Sequence, residues 1–249
     1  MANASRRERL RAAQEAQRRS RRVRVIAAIG VAVGAVAAIA VMIWLSFGNA
    51  PSQPTASRPP NATANGDGIA VNPGKAKPGA PVVGLYLDYL CSHCVQFEEK
   101  YGFTLNQLAN DGDIELINHT KVFLDRGDAA GLSHRAAVAA ACSDVAGVYK
   151  AYHQNIFAAA FNGQYTDQLL RVTLPQQTGI TGAALTEFQS CYDNRSMLGF
   201  VQGVEEASAK AGVTGTPTMK VNGKTIDLAT LPDDVNQLKQ FIADAAKAQ

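Results

Sequence analysis

Cysteine is scarce in this sequence: there are four in 249 residues, and only Cys91 and Cys94 are closely spaced. A four-cysteine zinc site needs a second Cys-x-x-Cys, but Cys142 and Cys191 stand singly, so no metal pattern is completed. Covalent haem attachment needs a histidine directly after the second cysteine, and Val95 holds that place. No other motif implies a cofactor. Acid is scarce at the start of the chain. Residues 1–24 carry nine arginines against Glu8 and Glu15, a charge of +7 in a chain whose total is +3, so the remainder sums to −4. The basic excess therefore belongs to a tail, and no nucleic-acid partner follows from it.

Charge is absent from Val25 to Phe47. These 23 residues reach about 35 Å as a helix, enough to cross a hydrocarbon core of about 30 Å. A single transmembrane helix over 25–47 is predicted, with the lipid bilayer as its partner and Trp44 as an interfacial anchor. The arginines before it place the N-terminus in the cytoplasm and everything after Phe47 outside. A cleaved signal peptide is the alternative, with the length of the apolar run against it. Residues 48–67 are Pro-, Ala-, Asn- and Ser-rich and offer little to bury, which predicts a flexible linker.

What the rest does contain is organised around Val82–Leu87. This apolar, β-branched run predicts a strand, which feeds through Asp88, Tyr89 and Leu90 into Cys91-Ser92-His93-Cys94 and then into helical spacing at Phe97, Tyr101, Leu105 and Leu108. Two thiols thus stand at a helix start, where unpaired N–H groups favour an anionic sulfur. Thiolates so placed titrate between about 3.5 and 7.5, and a protonated His93 adds positive charge beside Cys91. Cys91 is the expected nucleophile and Cys94 the thiol that closes the internal disulfide.

Ile69–Val71 predicts a short edge strand and Ile114–Asn118 another strand, giving a strand–helix–strand crossover with the cysteines at the carboxyl end of its first strand. A helical section follows. It includes a run from His134 to Val145 with Ser133 as N-cap, a resumption to Phe161, and helices starting near Thr166, Leu185 and Gly199. Cys142 and Cys191 both fall here. Outside the membrane they are expected to form a structural bridge, two separate buried cysteines being the alternative. Val213–Val221 returns to strand character, broken by Pro217, and leads into the hairpin signal Asn222-Gly223. A cis Thr216–Pro217 bond that exposes backbone at a site accounts for the proline. A helix over 232–247 closes the chain.

Cys91 to Glu99, read as Cys-Ser-His-Cys-Val-Gln-Phe-Glu-Glu, resembles the active-site segment of DsbA-like thiol:disulfide oxidoreductases, and Gly215-Thr216-Pro217 resembles their cis-proline loop. The resemblance spans about 68–249. It implies an α/β thioredoxin fold formed by 68–128 and 213–249, with an inserted α-helical domain over 129–212. It also implies Cys91 as attacking cysteine, Cys94 as its partner, His93 as the residue that lowers the thiolate pKa, and Thr216 and Pro217 as the loop that pairs with substrate backbone. A helical-domain bridge such as Cys142–Cys191 is known among extracytoplasmic members. The implied partners are exported proteins with free cysteines and a membrane reoxidant of the DsbB or vitamin K epoxide reductase type. Three positions depart from the family pattern. Ser92 replaces the usual proline. Leu85 stands where a buried acid is usual, with Asp88 or Glu98 as substitutes unless they are surface residues. Thr216 is more typical of isomerases. The expected activity is oxidation of exported proteins, the alternatives being a reductase or isomerase for particular clients and a peptide-binding module.

Overall fold

A computed structural model describes residues 57–161 and 165–248. The tail, the membrane helix expected over 25–47 and residues 48–56 of the linker lie outside the described residues; among those described, no helix is long and apolar enough to cross a membrane. The strands are β1 (Ile69–Ala70), β2 (Val82–Leu87), β3 (Glu115–Thr120), β4 (Thr218–Val221) and β5 (Lys224–Ile226), in the order β1-β3-β2-β4-β5. β2 runs parallel to β3 and antiparallel to β4, so it is the central strand. Its residues from Val83 to Leu87 are buried on both faces, which explains why it reads as a continuous apolar run. β3 extends two residues beyond the predicted Asn118, because every residue of β2 has a partner, ending at Leu87 opposite Thr120. Asn222 and Gly223 both take positive φ and join β4 to β5 in a two-residue turn, as that dipeptide predicts.

After β2 the chain forms α1 (Ser92–Phe97), a π-helical turn over Glu98–Gly102, and α2 (Phe103–Asn110). Phe97, Tyr101, Leu105 and Leu108 are buried along it, and they bind the helix to the sheet. The inserted helices are α3 (Leu132–Val145), α4 (Tyr149–Phe161), a π turn over Leu169–Thr173 continuing into α5 (Leu174–Gln177), α6 (Gly182–Asp193) and α7 (Leu198–Lys210). The last helix, α8 (Leu238–Lys247), starts later than position 232 because a short turn over Val235–Gln237 precedes it.

Ser133 is not the N-cap of α3. The helix begins at Leu132 with Gly131 as cap, and the Asp125 carboxylate accepts the N–H groups of Ser133 and His134 at 3.1 and 2.7 Å. That carboxylate satisfies two of the orphan donors of the first turn, which releases the Ser133 hydroxyl for another partner. The Cys142–Cys191 disulfide joins α3 to α6, with Cα atoms 6.0 Å apart. The folded part also reaches back before Gly68. Pro59 is buried, the Asn61 N–H and side-chain amide donate to Asp144 at 2.8 and 2.7 Å, and Ala62 bridges to Ile69. The polar side chains of this stretch are used for hydrogen bonds, a signal that hydrophobic content does not carry.

Candidate active site

β2 delivers the chain to the site, and a tight turn sets the first cysteine. The Cys91 N–H donates to the Asp88 carbonyl at 3.0 Å, and the Cys91 carbonyl accepts from Val95 at 3.0 Å to begin α1. Cys91 is therefore the N-cap residue, with extended backbone (φ −78°, ψ 115°), and its side chain makes no capping bond. Its sulfur is left for other contacts. The thiol donates to the Thr216 carbonyl at 3.4 Å across 125 residues of sequence. Both cysteines are free thiols. Cys91 keeps 9% of its surface exposed and Cys94 none, so an incoming reagent meets Cys91 first.

The loop carrying Thr216 has a cis Thr216–Pro217 bond and is closed by the Thr218 hydroxyl donating to the Gly215 carbonyl at 2.8 Å. The Thr216 hydroxyl is buried without an oxygen or nitrogen partner. It lies against Cys94 and favours that residue's thiolate, as does the Asp88 N–H, but burial dominates and pushes the Cys94 thiol well above the ordinary range. Ser92 and His93 lie on the exposed side of the first turn. The structure thus brings Cys91, Cys94, Thr216 and Pro217 together, with His93 beside them on the surface. Cys142 and Cys191 lie apart, in the helical section.

Neither candidate acid is a surface residue. Asp88 is fully buried. One carboxylate oxygen accepts the Leu90 N–H at 2.9 Å and the freed Ser133 hydroxyl at 2.7 Å; the other accepts the Leu124 N–H at 3.4 Å. Asp88 thereby ties the cysteine turn to the start of α3. Burial, opposed by these three hydrogen bonds, raises its pKa to about 6. Leu85, at the family's usual acid position, packs instead in the sheet core opposite Asn118 and Met219. Glu98 has 6% of its side chain exposed and stands 3.6 Å from His153 Nε2. His153 Nδ1 meets the Tyr89 hydroxyl at 2.9 Å, and the Asn118 amide lies 3.3 Å from Nε2. This buried polar cluster spans β3, the cysteine turn and α4. Nothing in the local pattern of α4 marked His153, because its partners come from three separate segments.

The Asp88 shift has a measurable sign. An unfolded chain loses this proton near 3.8 and the native state holds it to about 6, so native stability falls as pH rises through that interval and the loss is complete above it. The size is about 3 kcal/mol. Subtracting the Asp88→Asn variant's stability–pH curve from the wild type's should isolate this slope between pH 4 and 6. Parallel curves in urea unfolding would show that Asp88 titrates normally.

The family model described as Thioredoxin matches residues 74–244. No curated protein matches the chain. Among solved structures, the reduced form of a disulfide bond oxidoreductase (DsbG) from Mycobacterium tuberculosis is similar at 25% identity and a TM-score of 0.56, over 75% of this chain and 95% of that one. Reduced DsbA from the same organism is similar at 25% identity and a TM-score of 0.55, over 73% and 98% of the respective chains. The MdbA thiol-disulfide oxidoreductase from Actinomyces oris matches at 22% identity and a TM-score of 0.64, over 75% and 92%, and shares the fold.

Proposed function

We propose that this chain, which belongs to the thioredoxin family, is a thiol:disulfide oxidoreductase of the DsbA type that is tethered to the membrane by residues 25–47 and oxidises cysteines of exported proteins. The observation that carries the chemistry is the Cys91 thiol at 3.4 Å from the Thr216 carbonyl, with Cys94 buried behind it. A client held along the Thr216–Pro217 loop presents its sulfur to Cys91 and not to Cys94.

In the oxidised protein, a client thiolate attacks Cys91 Sγ and the Cys91–Cys94 bond breaks. Cys94 leaves as a thiolate and then takes up a proton; the burial that raises its pKa favours the proton uptake, not the departure. A second client thiolate then attacks the client sulfur of the mixed disulfide, and Cys91 leaves. The client has lost two electrons and two protons, and Cys91 and Cys94 end as a dithiol. Turnover needs an acceptor of those two electrons, for which a quinone-linked membrane protein of the DsbB or vitamin K epoxide reductase type is the natural class. The arginine-rich start, the apolar run from Val25 to Phe47 and the Cys142–Cys191 disulfide support the extracytoplasmic placement.

The direction of electron flow is read from the reduction potential of the Cys91/Cys94 couple, equilibrated against glutathione. A value near about −120 mV, as in strong oxidants, is expected; one near about −270 mV, as in thioredoxin, would sink the oxidase reading in favour of a client-specific reductase or isomerase.

A further inference from the structure

The active-site helix and α4 enclose a cleft of about 350 Å³ that the exchange chemistry does not use. Val95, Phe103 and Phe157 are its apolar walls, and Glu98, Glu99 and Gly102 complete the lining on the helix side. Phe103 is 75% exposed, an unusual setting for an aromatic side chain. A Cβ on Gly102 would collide with the Glu98 carboxylate, so glycine makes the room in which that carboxylate sits. Among the described residues no hydrogen-bond donor reaches it. Its nearest basic atom, His153 Nε2, stands at 3.6 Å, beyond hydrogen-bond length, while His153 Nδ1 is occupied by Tyr89.

An apolar cleft ending in an under-hydrogen-bonded acid fits one kind of occupant. A purely apolar side chain would leave the carboxylate desolvated and unpaired, and an acidic one would meet Glu98 and Glu99 as like charges. Lysine and arginine match both parts, since their methylene stems cover apolar walls while the cationic head takes the carboxylate in a charge-assisted hydrogen bond. We infer that the cleft is a subsite for a lysine or arginine side chain of the polypeptide whose cysteine exchanges with Cys91. This rests on the oxidoreductase reading and narrows its clients. Glu98 lies seven residues from Cys91, about 10 Å along the helix axis. At about 3.3 Å per extended residue, the basic residue stands about three or four positions from the reacting client cysteine.

The test uses the oxidised full-length chain and dithiol peptides identical except for Lys, Ala or Glu four positions from the first cysteine. KM and kcat are read from loss of free thiol. The Lys peptide should show a KM at least about tenfold below that of the Glu peptide, a ratio that shrinks as salt is raised and approaches one in Glu98→Gln. The wild-type ratio and its salt dependence need no variant, so misfolding of Glu98→Gln would not obscure the answer. A protein that dithiothreitol reduces but that treats the three peptides alike overturns the subsite alone. A disulfide that no thiol reduces overturns the oxidoreductase reading, and the subsite with it.

Discussion

Cys91→Ser should abolish disulfide exchange altogether, and Cys94→Ser should stall it one step later, with a client joined covalently to Cys91. The difference follows from exposure. Cys91 keeps part of its surface, Cys94 keeps none, and the Thr216 carbonyl is placed beside Cys91. Without Cys91 no sulfur is accessible to a client. Without Cys94 a mixed disulfide, once made by supplying an oxidised client, loses the internal thiol that would resolve it. Non-reducing gels and intact mass after exposure to a disulfide-bearing peptide check both outcomes. Cys91→Ser should carry no adduct, and Cys94→Ser should carry one adduct that dithiothreitol releases. An adduct on Cys94 in Cys91→Ser would reverse the assigned roles. Retained function in Cys91→Ser would favour a peptide-binding module in which the thiols are incidental.

The second large effect is on stability. The Cys142–Cys191 bridge closes a loop with a sequence separation of 49, which in the chain-entropy model stabilises the fold by about 4 kcal/mol. The Cys142→Ala and Cys191→Ala double variant should therefore lose about 2–5 kcal/mol, a fall in Tm of roughly 10 °C for a domain of this size. Both cysteines lie well away from the exchange site, so the double variant should still exchange disulfides at temperatures where it is folded. Because α3 carries both Cys142 and Ser133, the hydrogen bond from Ser133 to Asp88 is the route by which loosening the helical section would reach the cysteine turn. Urea unfolding of the two proteins, with Cys91 and Cys94 reduced in both, measures the stability term. An unchanged midpoint would mean that packing alone holds α3 to α6.

Much of the site could be read along the chain because its signals are local. Strand composition at Val82–Leu87, the spacing of Cys91 and Cys94, the interrupted strand at Pro217 and the Asn222-Gly223 turn each depend on neighbours within a few residues. Their positions in the structure follow from the same rules. The boundaries that moved did so through partners outside the element itself. β3 ends where β2 stops pairing, and the first turn of α3 is capped by the Asp125 carboxylate from the preceding segment, eight and nine residues before the N–H groups it accepts. The stretch before Gly68 is ordered by Asp144, more than eighty residues away.

The sequence by itself determined that two thiols stand at a helix start after a central strand, behind a charge-free run long enough to cross a membrane, because periodicity, length and charge are properties of contiguous residues. Tertiary structure decided the environment of each charge. Asp88 and Glu98 have no local mark of burial. Asp88 became a buried acid when Ser133 and Leu124 closed over it, and Glu98 became the acidic end of an apolar cleft when α4 packed alongside. The physical reason is that desolvation and hydrogen-bond supply depend on which segments meet in space, and for both acids those segments come from elsewhere in the chain.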